Sequence, residues 1–210
     1  MKRSLKAFWV CFLLLPFLTF AQEDNYYEED PTYKGSPMAG LKVGVNAQLV
    51  IPVNAIVRQY FSGGTGVGVF AKYIFAGKVG LGGLFNYNFL SNRAPTVGVT
   101  NSLMVYGASL EYYLNKAKIT PYFGLDACRY QFSGSYNINA NGSSVQASFD
   151  YVTLNGWGIA PNIGFVYDFS SRVSTYLNFK YNHIFPTAIE GFNAQLLIIS
   201  GGIFYNIGEL

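Results

Sequence analysis

The chain has 210 residues and a net charge of +3, with 12% charged and 18% aromatic side chains. That charge content is about half the usual quarter. Once Lys2, Arg3 and Lys6 are set aside with the leader described next, the basic count falls from 14 to 11 against 11 acids. A near-neutral chain lacks the electrostatic footprint of a nucleic-acid-binding protein, so nucleic acid is excluded as a partner.

Residues 1–21 read as a secretory signal peptide. Lys2, Arg3 and Lys6 form the positive start, Ala7 to Phe20 is apolar, and Thr19-Phe20-Ala21 supplies the cleavage site, so the mature chain is expected to begin at Gln22. The apolar run falls short of the 20 or so residues a spanning helix needs and contains Pro16. Cys11 leaves with the signal and Cys128 remains as the sole thiol, which rules out an internal disulfide. Residues 22–37 carry Glu23, Asp24, Glu28, Glu29 and Asp30 against Lys34 alone. This segment is expected to be a flexible acidic periplasmic tail.

From Met38 onward the dominant signal is alternation. Leu41, Val43, Val45, Ala47, Leu49 and Ile51 share one side of an extended segment, and Lys42, Gly44, Asn46 and Gln48 the other. Eight such strands are expected, at 40–52, 66–76, 78–90, 102–114, 118–130, 152–169, 173–185 and 194–207. Their connectors alternate between long ones (53–65, 91–101, 131–151 and 186–193) and short ones (near Gly77, at 115–117 and at 170–172). An up-and-down transmembrane β-barrel whose first strand rises from the periplasm has this order, with turns inside and loops outside.

The outward parity places Tyr73, Phe75, Tyr112, Tyr167, Phe169 and Tyr205 at the periplasmic ends, as an inner aromatic girdle. Tyr87, Phe89, Trp157, Tyr181 and Phe185 lie at the opposite rim. Inward parity carries Lys42, Lys72, Glu111, Asp126, Asp168 and Lys180, together with Asn46, Gln48, Asn86, Asn88, Asn162, Asn178 and Asn182. Three lysines balance three acids, and pairing among them is expected because isolated charges in a narrow interior are costly to desolvate. Eight strands leave a lumen just wide enough for side chains to fill. The expected fold class is all-β: an eight-stranded antiparallel up-and-down transmembrane β-barrel over residues 38–210, with a plugged polar lumen. The eighth strand, ending Tyr205-Asn206-Ile207, must then pair with the first, since lipid tolerates no open edge.

On this architecture the chain resembles the small eight-stranded outer-membrane barrels, the single-domain relatives of the outer-membrane protein A-like transmembrane barrel. The final segment Gly201-Gly202-Ile203-Phe204-Tyr205-Asn206-Ile207 is similar to that family's closing strand, with Ile207 in place of the terminal aromatic and three residues beyond it. The resemblance implies an outer membrane of a Gram-negative-type bacterium, contact with outer-membrane lipid, and recognition by the barrel-assembly machinery.

Sites for chemistry are few. His183 is the only histidine and faces outward, which suits an interfacial residue better than a catalytic base. One histidine and one thiol do not make a metal site, and no cofactor is expected. Gly63-Gly64-Thr65-Gly66-Val67-Gly68 precedes a strand, where a phosphate-binding loop requires a helix. Asn141-Gly142-Ser143 matches a glycosylation acceptor only as a short pattern. The Ser/Asn/Gly surface of residues 131–150 is the expected contact region for a surface ligand. Lys78, Lys116, Lys118 and Arg172 in the periplasmic turns invite either the acidic tail or a periplasmic partner. The expected role is non-enzymatic, in envelope structure or surface contact. A narrow porin-like channel is the alternative, ahead of a lipid-modifying enzyme and a soluble lipid carrier.

Overall fold

The computed structural model describes residues 39–75, 78–92, 99–114, 118–140, 143–150, 155–170, 172–186 and 193–208. The leader, the acidic tail, the turn at Gly77, Lys116 and the Asn141-Gly142 pair lie outside the described residues.

The strands are β1 (Gly40–Pro52), β2 (Phe61–Phe75), β3 (Val79–Asn92), β4 (Val99–Tyr113), β5 (Ile119–Ala140), β6 (Ser143–Asp150), β7 (Gly156–Asp168), β8 (Val173–Pro186) and β9 (Ala194–Gly208). Every pairing is antiparallel. Neighbours pair in sequence from β1 to β5, β5 pairs β7, and β7 to β9 continue the meander. β9 closes on β1 from Leu41↔Gly208 to Pro52↔Leu196, with one register shift at Leu41/Lys42. Eight strands therefore form a closed wall, and β6 is an extra strand paired to the outer end of β5. The closed eight-stave barrel expected from alternation is what the chain forms.

The wall has two chemically distinct faces. On β1 the odd residues from Val45 to Ile51 are exposed, whereas Lys42, Gln48 and Val50 are buried. The same inversion holds on β7, where Trp157, Ile159, Ile163 and Phe165 face out and Asn162 and Asp168 face in. An apolar exterior around a charged interior is the arrangement hydrocarbon demands, since water would favour the reverse.

Two expected connectors are structured instead. The residues read as a loop at 53–65 contain the helix α1 (Ala55–Tyr60) and the first turns of β2. Asn54 caps the helix: its side-chain oxygen accepts from the Val57 N–H at 3.3 Å, and its amide donates to the Asn193 carbonyl at 2.6 Å. β2 then starts at Phe61 through an irregularity at Phe61/Gly63, where Gly63 takes a φ of +153° that disfavours side chains. Likewise 131–151 is not an irregular loop, because β5 runs to Ala140 and β6 returns from Ser143 to Asp150. The pairing Ala140↔Ser143 leaves only two connecting residues, and Asn-Gly is a favoured pair for that turn.

Close packing inside the barrel depends on glycine at the points where rings cross the wall. A Cβ at Gly164 would lie 2.6 Å from both Cζ and the hydroxyl oxygen of Tyr122. At lipid-facing Gly83 the nearest atom to such a Cβ is 3.7 Å away. Gly164→Ala is therefore expected to destabilise the barrel by about 1–3 kcal/mol, read as a lower urea midpoint in liposomes. Gly83→Ala is expected to leave that midpoint in place, and equal effects of the two would contradict the packing argument.

Candidate functional site: the lumen and the external rim

Alternation on β2, β4, β5 and β8 sends Lys72, Glu111, Asp126 and Lys180 into the middle of the lumen. Lys72 Nζ lies 2.7 Å from Glu111 Oε2, and Lys180 Nζ lies 2.6 Å from Asp126 Oδ2. The Tyr113 hydroxyl also donates to Glu111 Oε2, at 2.5 Å. Asp126 Oδ1 accepts from Ser109 Oγ at 2.7 Å and from the Asn162 amide at 3.0 Å. The Asn178 amide donates to Asn162 Oδ1 at 3.1 Å and to the Tyr122 hydroxyl at 2.7 Å, which carries the network back toward Lys72. Lys42 and Asp168 form the third couple, at the periplasmic end. Both are buried and attract one another, and Asp168 accepts from Ser174 Oγ at 2.5 Å.

Sequence reading missed the rings that share the lumen with these charges. Lys72 Nζ sits 5.2–5.9 Å from the ring centres of Phe70, Tyr113, Tyr122, Tyr176 and Phe204. Each ring has the same parity as an inward polar residue on its own strand: Phe70 with Lys72, Tyr113 with Glu111, Tyr122 with Asp126, Tyr176 with Asn178, and Phe204 with Asn206. The period of two that sorts the outward aromatics carries this signal as well. Ring faces attract a cation and replace part of its lost hydration, so they complement the carboxylate partner.

The expectation of a polar lumen is correct for the middle and incorrect for the outer half. Val50, Leu103, Val105, Phe132, Ile184, Leu196 and Ile198 form an apolar cluster there, joined by Val57 of α1 and by Phe61. Phe61 stacks on Phe132 with ring centres 5.8 Å apart, and the Tyr130 hydroxyl donates to Asn182 Oδ1 at 2.7 Å beneath it. On the periplasmic side Ile74, Tyr113, Tyr122, Val166 and Phe204 form a second cluster. The polar belt is thus covered by an apolar cluster on its outer side and interleaved with rings toward the periplasm, where Lys42 and Asp168 also lie. Within the belt a void of about 30 Å³ is bordered by Asn46, Asn86, Asn178 and Ser109, room for roughly one or two waters.

On the outer face, Tyr73, Phe75, Tyr112, Tyr167, Phe169 and Tyr205 all point away from the lumen at the turn end, and Phe75, Tyr112, Phe169 and Tyr205 are prominently exposed. Tyr73 packs on Phe75 and Tyr167 on Phe169, each with ring centres 4.8 Å apart. Tyr87, Phe89, Trp157, Tyr181 and Phe185 are exposed at the other rim. Two belts of rings bounding an apolar wall match the two interfaces of a bilayer.

Three solved structures share this architecture at low sequence identity. Neisserial surface protein A aligns with a TM-score of 0.57 at 17% identity, over 80% of this chain and 98% of that one. The outer membrane protein OprG from Pseudomonas aeruginosa aligns at 0.53 and 16%, over 81% and 97%. The outer membrane protein AlkL, determined in lipid bilayers, aligns at 0.51 and 14%, over 84% and 93%. This chain has the fold of the small eight-stranded outer-membrane β-barrels. No protein-family model matches the barrel's sequence, and neither does any curated protein.

The remaining candidates take structural places in the barrel. His183 faces outward and packs on Phe185, ring centres 4.8 Å apart, with Ile159 and Gln195 as its cross-strand neighbours. Cys128 is buried in the lumen, in the middle of β5. Gly64, Gly66 and Gly68 lie within β2, where no helix follows. At the rim Arg58 borders a cleft of about 430 Å³ with Ile51, Pro52, Phe61 and Ser62, and its Nε donates to the Pro52 carbonyl at 3.1 Å.

Removing one member of a buried pair strands its partner. Lys72→Met is expected to cost about 3–5 kcal/mol of barrel stability, and the double change Lys72→Met with Glu111→Leu is expected to recover most of that loss. Urea titrations in liposomes read both. A double variant no more stable than the single one would show that the pair does not act as a unit.

Proposed function

We propose that this outer-membrane barrel is a non-conducting, non-enzymatic anchor that holds the β5–β6 hairpin outside the membrane for surface contact. The observation that carries this reading is the filled lumen. Two ion pairs and five rings occupy its middle, an apolar cluster capped by α1 closes the outer half, and the void beside the ion pairs is about 30 Å³. A solute path would require separating those pairs in a low-dielectric interior, which leaves each charge unpaired.

The hairpin supports the contact half of the proposal. β5 and β6 pair from Ser133↔Asp150 to Ala140↔Ser143, and β4 flanks β5 up to Val99↔Tyr136. A paired ribbon continuous with the wall presents its residues with less conformational freedom than an unstructured loop of the same length, which lowers the ordering cost of binding.

In planar bilayers the protein is expected to give no stable single-channel steps, and regular conductance would restore the porin-like reading. Cells displaying a variant without residues 137–146 are expected to adhere less to surfaces than cells displaying the full chain, with heat-modifiable gel mobility unchanged. Equal adhesion would remove the contact role.

A further inference from the structure

Arg129 has no place in the lumen or in the hairpin. It lies on the outward face of β5, partly exposed, with its guanidinium carbon 5.7 Å from the centre of the Trp157 ring. Its paired residues are Trp157 on β7 and Tyr106 on β4, both outward and exposed. Phe185 on β8 faces Trp157 in turn, and His183 packs against Phe185 with the rings tilted. Among the described strand residues whose side chains point outward from the eight-strand wall, Arg129 is the only one with a charge at neutral pH. Such a group is costly in hydrocarbon, so its depth decides its meaning.

That depth follows from the strand. Ile119 marks the inner end of β5 and Arg129 stands ten residues beyond it. At roughly 3.3 Å per residue and a tilt near 40°, this is about 25 Å, the height of the apolar band of such barrels. Trp157 stands at the same interval from Tyr167 on β7, and Phe89 from Val79 on β3. Arg129 therefore sits at the outer boundary of the hydrocarbon, in the plane of the headgroups. The acids of the spanning staves, Glu111, Asp126 and Asp168, all face the lumen, so the wall offers Arg129 no carboxylate.

We infer that Arg129, lying over the Trp157 ring and flanked by Tyr106, forms a binding site on the barrel's outer face for a phosphate-bearing lipid headgroup of the external leaflet. A guanidinium held over a ring by cation–π attraction still offers its planar N–H fork to two oxygens of one phosphate. Leu125, Ile159 and Ile163, exposed below it on β5 and β7, give the acyl chains of the same molecule an apolar surface that a free anion would not use. Lys118 and Arg172 also lie beside rings, 5.5 Å from the Tyr167 ring centre and 3.4 Å from the Tyr205 hydroxyl, but both belong to the turns at the periplasmic boundary. Arg129 is placed by a strand, with rings on both sides.

The test is native mass spectrometry of the full chain released from phosphatidylcholine nanodiscs doped with diphosphorylated lipid A or with its dephosphorylated form. The wild type is expected to retain the phosphorylated lipid at least about tenfold more, the scale of a charge-assisted hydrogen-bond pair. Arg129→Gln is expected to abolish the preference, and Arg129→Lys, which keeps the charge without the fork, to retain part of it and to serve as the test should the glutamine variant not fold. Heat-modifiable mobility shows that each variant is a closed barrel, so a failure of closure is distinguished from a failure of the site. An unchanged preference in Arg129→Gln would overturn the inference. Displacement of the lipid by excess inorganic phosphate would do the same by marking a site for free anion, as would a dimer of this chain seated on the patch.

Discussion

Hydrocarbon offers no hydrogen bonds, and the architecture follows from that single deficit. Each N–H and C=O of a spanning strand must find its partner in the next strand, so the sheet has to close. The pairing of β9 with β1 along nearly the whole length of β1 performs the closure, and without it two edges of unpaired backbone would face lipid. Closure in turn fixes an inside and an outside. With eight strands the inside is only a few side chains across, so whatever points inward must pack against what points inward from the opposite wall.

That narrow interior explains the arrangement of the lumen charges. A lysine and an acid placed there lose their hydration together, and the loss is offset only when further donors and acceptors saturate both. Asp126 meets this condition through Lys180, Ser109 and Asn162, and Glu111 through Lys72 and the Tyr113 hydroxyl. The five rings around Lys72 serve the same end by a different interaction, and they fill volume that would otherwise admit water. A polar belt packed among rings and covered by an apolar cluster on its outer side is a stable way to fill such a cylinder.

The wall was largely legible in the sequence because a strand's period of two assigns every side chain to a face. Once Leu41 is outside, Lys42 is inside, and the same step sorts β7 and β9. What parity could not supply was partnership: which of three lysines meets which of three acids depends on stagger between strands far apart in sequence. Lys180 and Asp126 are on β8 and β5, separated by β7, and no local pattern links them. Two further features carry local signals that composition masks. Asn54 before Ala55-Ile56-Val57-Arg58 is a helix-capping signal inside what looked like loop, and Asn141-Gly142 between Ile138 and Val145 is a hairpin signal inside a stretch whose serine and asparagine content suggested irregularity.

The same parity that hides acids in the lumen leaves the outer face without them, and this asymmetry separates the barrel's cations into two kinds. Lys72 and Lys180 are neutralised internally, by Glu111 and Asp126 from other strands of the wall. Arg129 has cation–π support from one ring, Trp157, where Lys72 has five, and no carboxylate from the membrane-spanning staves, because the strand geometry that would bring one is spent on the other side of the sheet. A cation that must remain charged at the edge of hydrocarbon draws its counter-charge from whatever bathes that edge. The composition of the surrounding leaflet thereby becomes part of the barrel's electrostatics, and the outer surface is as specific in its chemistry as the filled interior.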